Sequence, residues 1–169
     1  MSVIRAIPER ELPEPSGSSV LNSSITVQST ASKPVLDTMI ELAHAKQSHR
    51  IVVAGSAALD IHAALCRRGF CRVATATHHG TPGGVRDVAF IAGHQSLAAV
   101  EEALLRIAPL LSSHGTIAIW VNAFAQGHGQ TIQRLLQATG FVVQSGAKCE
   151  NGFVLAARRH EGSVLANVA

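Results

Sequence analysis

The chain has 169 residues, 47% of them hydrophobic, and carries 14 Lys and Arg against 11 Asp and Glu, a net charge of +3 at neutral pH. That length and apolar content suit one domain with a full core. The bases are scattered apart from the pairs at 67–68 and 158–159, and aromatics make up only 4% with no Tyr, which argues against a nucleic-acid stripe and a base-stacking platform.

The longest apolar runs fall far short of the roughly 18 residues of a membrane span. The start of the chain lacks the charged-then-apolar pattern of a secretory signal, so a cytoplasmic protein is expected. Cys66, Cys71 and Cys149 are odd in number and form no CxxC pair. They suit neither a disulfide framework nor a zinc knuckle and read as buried free thiols, including the pair Cys66 and Cys71.

Residues 1–33 are rich in Ser, Pro, Glu and Thr. Such a segment cannot bury enough apolar surface to offset its ordering entropy, and a disordered arm is expected. Residues 20–21 and 25–27 offer the alternative of a short edge strand. Over 34–47 the spacing of Leu36, Met39, Ile40 and Ala43 predicts a helix, with Ser32 as N-cap and Pro34 in the first turn.

RIVVAGSAALDIHAALCRRG, residues 50–69, reads as strand, tight turn at Gly55, and helix over 57–68. The strand is apolar on both faces, as a helix-covered parallel strand should be. Leu59, Ala63, Ala64 and Leu65, or alternatively Ile61 and Leu65, supply the helix's candidate buried face, and Gly69 is the expected C-cap. A second strand is expected over 70–76, then the loop THHGTPGGVR, then a third strand in DVAFIAG. Ser96 suits the N-cap of a helix whose stripe is Leu97, Val100, Leu104, Ile107 and Leu111, with Glu101 and Glu102 opposite and Pro109 bending its end. A turn at His114 and Gly115 precedes a fourth strand over 116–121. TIQRLLQATG gives a short helix with Ile132, Leu135 and Leu136 inward, stopped by Gly140. FVVQSG and FVLAARR, joined through a turn at 148–152, are too close for a helical crossover and must pair as an antiparallel hairpin.

This order of parts resembles a class I S-adenosylmethionine-dependent methyltransferase, most clearly in RDVAFIAGHQSLAAVEEALLRIAPLLSSHGTIAIWV and in the closing run from LLQATGFVV to GFVLAARR. The resemblance spans about residues 35–159. It implies an α/β, three-layer Rossmann-like fold, with a mostly parallel sheet of about six strands, four parallel and two in a C-terminal antiparallel hairpin. It also implies a methyltransferase-like domain over 34–160, between the arm at 1–33 and a flexible tail at 161–169.

Several residues depart from the family's pattern. An acidic strand end and Gly-x-Gly-x-Gly are replaced by Val53-Ala54 and Gly55-Ser56-Ala57-Ala58-Leu59, so only the first Gly survives. Side chains at Ala57 and Leu59 crowd a ligand that the missing glycines would admit. The second strand ends in Thr75-Ala76-Thr77 where the family carries an acid for the ribose hydroxyls, and a neutral hydroxyl makes the weaker bond. The loop at 77–86 is too short for a crossover helix and another parallel strand, so one edge strand of the family is expected to be missing.

The resemblance implies Gly55, Ser56, Ala57, Thr75, Thr77 and Gly93 as the cofactor-binding positions and His94, after the third strand, as the candidate catalytic base. Free N–H groups at 55–57 could equally belong to a plain strand-to-helix turn, and Asp60 suits the helix dipole better than catalysis. His78, His79, His94 and His128 all fall in loops at the carboxyl edge of the sheet, but no HxxxH or HxH spacing supports a zinc or nickel site, and no metal is expected. HHGTPGG matches a phosphate-gripping loop in composition only.

Two functions remain open. One is a small methyltransferase that binds S-adenosylmethionine and orients an unidentified acceptor. The other, favoured by the three departures in one site, is a non-catalytic binding or regulatory module, a pseudoenzyme that recruits a protein partner or a second copy through its uncovered edge strand at 70–76.

Overall fold

The computed structural model describes residues 27–29, 34–77, 80, 83–93, 96–122, 128–149 and 152–160. The strands are β1 (Val27–Ser29), β2 (Ile51–Ala54), β3 (Val73–Thr75), β4 (Arg86–Ile91), β5 (Leu111–Asn122), β6 (Phe141–Cys149) and β7 (Gly152–Arg159). The helices are α1 (Val35–Leu42), α2 (Ala58–Arg67), α3 (Leu97–Ile107), extended by a 3-10 turn at Ala108–Leu110, and α4 (Gly129–Ala138). The strands form one sheet in the order β1-β6-β7-β5-β4-β2-β3. β2, β3, β4 and β5 run parallel, while β7 is antiparallel to both β5 and β6.

This is the expected three-layer α/β architecture with its closing hairpin, plus a seventh strand. β1 lies within the segment expected to be a disordered arm, and it pairs in parallel with β6, Val27 opposite Gly146 and Ser29 opposite Lys148. A partner strand in the sheet supplies backbone hydrogen bonds that composition does not reveal. The remainder of that arm, with Ser32, lies outside the described residues, as does the tail beyond 160.

Alternation along the strands divides the core in two. Val52, Ala54, Ala89, Ile91, Ile117 and Ile119 pack with Val100, Leu104 and Ile107 of α3 and Ile132 and Leu136 of α4. Ile51, Val53, Val88, Phe90, Ala118 and Val154 pack on the other face with Met39 of α1 and Ala58, Ile61 and Leu65 of α2. Val100, Leu104 and Ile107 of the α3 stripe are buried as read from the sequence, with Leu97 packed at its margin and Glu101 and Glu102 exposed, whereas Leu111 lies beyond the helix as the first residue of β5. Ser96 caps that helix, its Oγ accepting from the Ala99 N–H at 3.3 Å.

Several boundaries differ from expectation. α1 stops at Leu42, and His44 takes a left-handed φ of 49° before a turn closed by the His49 N–H on the Lys46 carbonyl at 2.9 Å. Pro34 is the N-cap, its carbonyl accepting from Thr38 N–H at 3.2 Å, rather than a first-turn residue. The second strand is only Val73–Thr75, because Phe70 N–H is spent on the Leu65 carbonyl in the turn that ends α2 at Gly69, φ 84°. β5 starts at Leu111 rather than 116, with the expected turn absorbed as a register shift: Arg86 faces Leu111 and Val88 faces Thr116. The hairpin strands reach Cys149 and begin again at Gly152, so its turn is shorter than expected.

Of the two faces open for α2, the one with Ile61 and Leu65 turns inward. Ala58, Ile61 and Leu65 are buried, whereas Leu59 is 73% exposed and Ala63 is exposed. The same helical phase puts Cys66 outward, and Cys71 precedes the strand on the surface. The expectation of buried thiols does not hold: Cys66 and Cys71 are exposed and Cys149 is half-buried.

Arg159 ties the hairpin to the far end of α3. Its Nη1 donates to the Leu111 carbonyl at 2.7 Å and its Nη2 to that of Ala108, while the guanidinium lies 5.3 Å from the centre of the Phe141 ring. Burial lowers its pKa from the usual guanidinium value, yet the group stays charged at any ordinary pH.

Candidate functional site at the carboxyl edge of the sheet

β2 is apolar and fully buried, so it ends where the chain must turn toward α2. Gly55 makes that turn with a φ of 107°, a conformation that a side chain strongly disfavours. Ser56 is exposed, Gly55 and Ala57 are half-buried, and Ala58 opens α2 with Asp60 in its first turn. The strand-turn-helix therefore forms as read, with Asp60 exposed toward solvent.

Gly93 comes from the neighbouring strand end, two residues beyond β4, and has a φ of 81°. The structure brings it directly against the Gly55 turn. The Ser56 hydroxyl donates to the Gly93 carbonyl, and the Ala57 N–H makes a long hydrogen bond of 3.4 Å to the Ala92 carbonyl. A Cβ at Gly93 would lie 2.5 Å from Ser56 Oγ, 2.6 Å from Ala57 N and 2.9 Å from Ala57 Cβ. The two backbones are in contact, and one N–H at the start of α2 is already engaged. Sequence spacing gives no sign of this closure, because it joins residues 37 apart.

Thr75 ends β3, half-buried, and Thr77 lies just beyond it, exposed. Thr77 turns back on itself in an isolated bridge with Gly80, its N–H donating to the Gly80 carbonyl at 3.0 Å and its Oγ1 to the same oxygen at 3.4 Å. Its hydroxyl hydrogen is thus directed into its own loop. β3 forms the sheet edge, and among the described residues no strand pairs with its outer side. His94, the candidate base, lies outside the described residues, as do His78 and His79. His128 is the exposed N-cap of α4, and among the described residues no group of His, Cys, Asp and Glu could hold a metal ion.

One polar group at this edge escaped the sequence reading. Trp120 on β5 packs partly against the cluster that includes Ala57, and Ile119 beside it is paired with Ile91, which sets Trp120 level with Ala92. Its Nε1–H is buried without an acceptor among the described residues. A lone Trp in a strand pattern reads as core, and only packing reveals that its donor is left over.

No family model matches the chain, and no curated protein matches it in sequence. Solved structures do match in fold. A TehB-like SAM-dependent methyltransferase from Corynebacterium glutamicum aligns with a TM-score of 0.55 at 14% identity, over 73% of this chain and 86% of that one. A precorrin-6y C5,15-methyltransferase from Geobacter metallireducens gives 0.52 at 13% identity, over 74% and 87%. A ribosomal protein L11 methylase from Lactobacillus delbrueckii subsp. bulgaricus gives 0.51 at 13% identity, over 74% and 77%. The chain has a class I methyltransferase-like fold, mostly parallel with an antiparallel C-terminal hairpin. Among the described residues, no helix is long and apolar enough to cross a membrane.

Proposed function

We propose that the chain is a methyltransferase-fold binding or regulatory module of the cytoplasm, a pseudoenzyme whose cofactor site is closed. The observation that carries this reading is the seating of the Gly55 turn on Gly93. S-adenosylmethionine, expected over 55–57 and against Gly93, needs a gap between two strand ends that here touch through Ser56 and Ala57. The residues around the gap do not compensate. No carboxylate ends β3 to accept ribose hydroxyls, and the exposed Leu59 projects beside the turn where the family carries Gly. The residues present do not fit the cofactor, and no catalytic step is derived through it. The module's partner is a protein or a second copy of the chain, and the uncovered side of β3 offers backbone groups for pairing.

A second reading, a small S-adenosylmethionine-dependent methyltransferase, draws on the orphaned Trp120 donor. A buried indole N–H without an acceptor is costly, and a ligand entering this edge could supply one. The two readings separate by calorimetric titration of the full chain with S-adenosylmethionine and S-adenosylhomocysteine. The module reading expects no saturable heat at millimolar ligand. Micromolar binding that Ser56→Trp abolishes overturns it in favour of the enzyme.

A further inference from the structure

The opposite edge of the sheet carries a feature that the cofactor question does not touch. The strands β2, β4 and β5 begin there, and an open cleft of about 620 Å³ lies between those beginnings and the α1–β2 loop. Such a volume is in the range of small-molecule sites. His44, Lys46 and His49 enter from the loop, Asp87 from β4, His114 from the register shift in β5, and Arg158 from β7. Five separate positions thus bring a basic or imidazole group to one cleft, although they are scattered over 115 residues of sequence from 44 to 158.

The charge balance sets the sign of the ligand. Lys46 and Arg158 bring positive charge, and among the described residues Asp87 is the one carboxylate in the lining, with its Oδ2 already accepting the Arg50 N–H at 2.8 Å. Three imidazoles share the cleft with them. His49 Nδ1 accepts the Lys46 N–H at 3.3 Å, which holds that ring in place. Among the described residues, no Phe or Trp on which a base could stack lines the cleft.

We propose that this amino-edge cleft binds a compact phosphate-bearing anion, a polyphosphate or the phosphate ester of a small polar molecule. A guanidinium from β7 and an ammonium from the α1–β2 loop suit phosphate oxygens, the first as a two-pronged donor and the second as a point charge. The cleft is far larger than one inorganic ion, so the ligand carries more than one polar group.

Calorimetry of the full chain with tripolyphosphate at low ionic strength tests this, with citrate as the carboxylate comparison. The expected result is one saturable site that weakens as salt is added, because the attraction is between charges. Lys46→Gln and Arg158→Gln should each weaken it by about fivefold, the scale of one partly exposed charge contact. Arg134→Gln, an exposed change on α4 outside the cleft, should leave it unaltered. Circular dichroism of each variant confirms that the fold is retained. Absence of saturable heat, equal losses with Arg134→Gln, or citrate binding as tightly as tripolyphosphate would each overturn the proposal. Because the two sites lie at opposite sheet edges, these outcomes stand apart from the result with S-adenosylmethionine.

Discussion

If the Gly55 turn is seated on Gly93, adding one methyl group at residue 93 should cost much more than adding one at a glycine with the same backbone and open space. Gly84 provides that comparison. Its φ of 87° matches the 81° of Gly93, but a Cβ there meets nothing within 4 Å. Both Ala variants bear the left-handed conformation, worth about 1 kcal/mol or somewhat more. Only Gly93→Ala also drives a carbon to 2.6 Å from the Ala57 nitrogen and 2.9 Å from its Cβ, atoms of the backbone and first residues leading into α2 that cannot swing aside. Overpacking of that kind adds about 1–3 kcal/mol, for a total of about 2–4 kcal/mol. At about 2–4 °C per kcal/mol for a domain of this size, Gly84→Ala should lower Tm by about 2–5 °C and Gly93→Ala by about 5–15 °C. Thermal unfolding followed by far-ultraviolet circular dichroism reads both. Equal losses in the two variants would refute the contact and with it the closed site.

Two further outcomes follow from packing elsewhere. Arg159→Met removes both carbonyl partners of Ala108 and Leu111 and the contact with Phe141, and urea denaturation should show a loss of about 2–4 kcal/mol; a change below about 0.5 kcal/mol would deny the hairpin lock. In the native protein, Cys66 and Cys71 should react promptly with a thiol reagent and Cys149 more slowly, since the first two are exposed and the third is half-buried. Protection of all three thiols until denaturant is added would contradict the phase assigned to α2.

The alternation of strands and helices was legible in the sequence because each element carries its own period and its own stops. Gly69 and Gly140 do end α2 and α4 in the left-handed conformation, and Ser96 does cap α3. What local pattern could not supply was anything decided between distant segments. β1 becomes a strand through β6, and the turn expected at His114 and Gly115 becomes part of β5 through a register shift against β4. The buried face of α2 was ambiguous because apolar residues occur almost all round it, and the sheet selected Ala58, Ile61 and Leu65, leaving Leu59 and Cys66 outside. At the site, the missing glycines and the missing acid could be read directly. The hydroxyl of Ser56 meeting Gly93, and the indole of Trp120 without an acceptor among the described residues, required the fold. The amino-edge cleft was hidden for the same reason, since its basic groups come from the α1–β2 loop, β5 and β7.

The closed cofactor site is tested most directly by the backbone amide signals of Gly55, Ser56, Ala57 and Gly93 in a nitrogen-edited proton NMR titration with S-adenosylmethionine. The account predicts that these four signals stay in place up to millimolar ligand. Saturable shifts centred on them, with the rest of the spectrum unmoved, would show that the turn lifts from Gly93 to admit the cofactor and would contradict it.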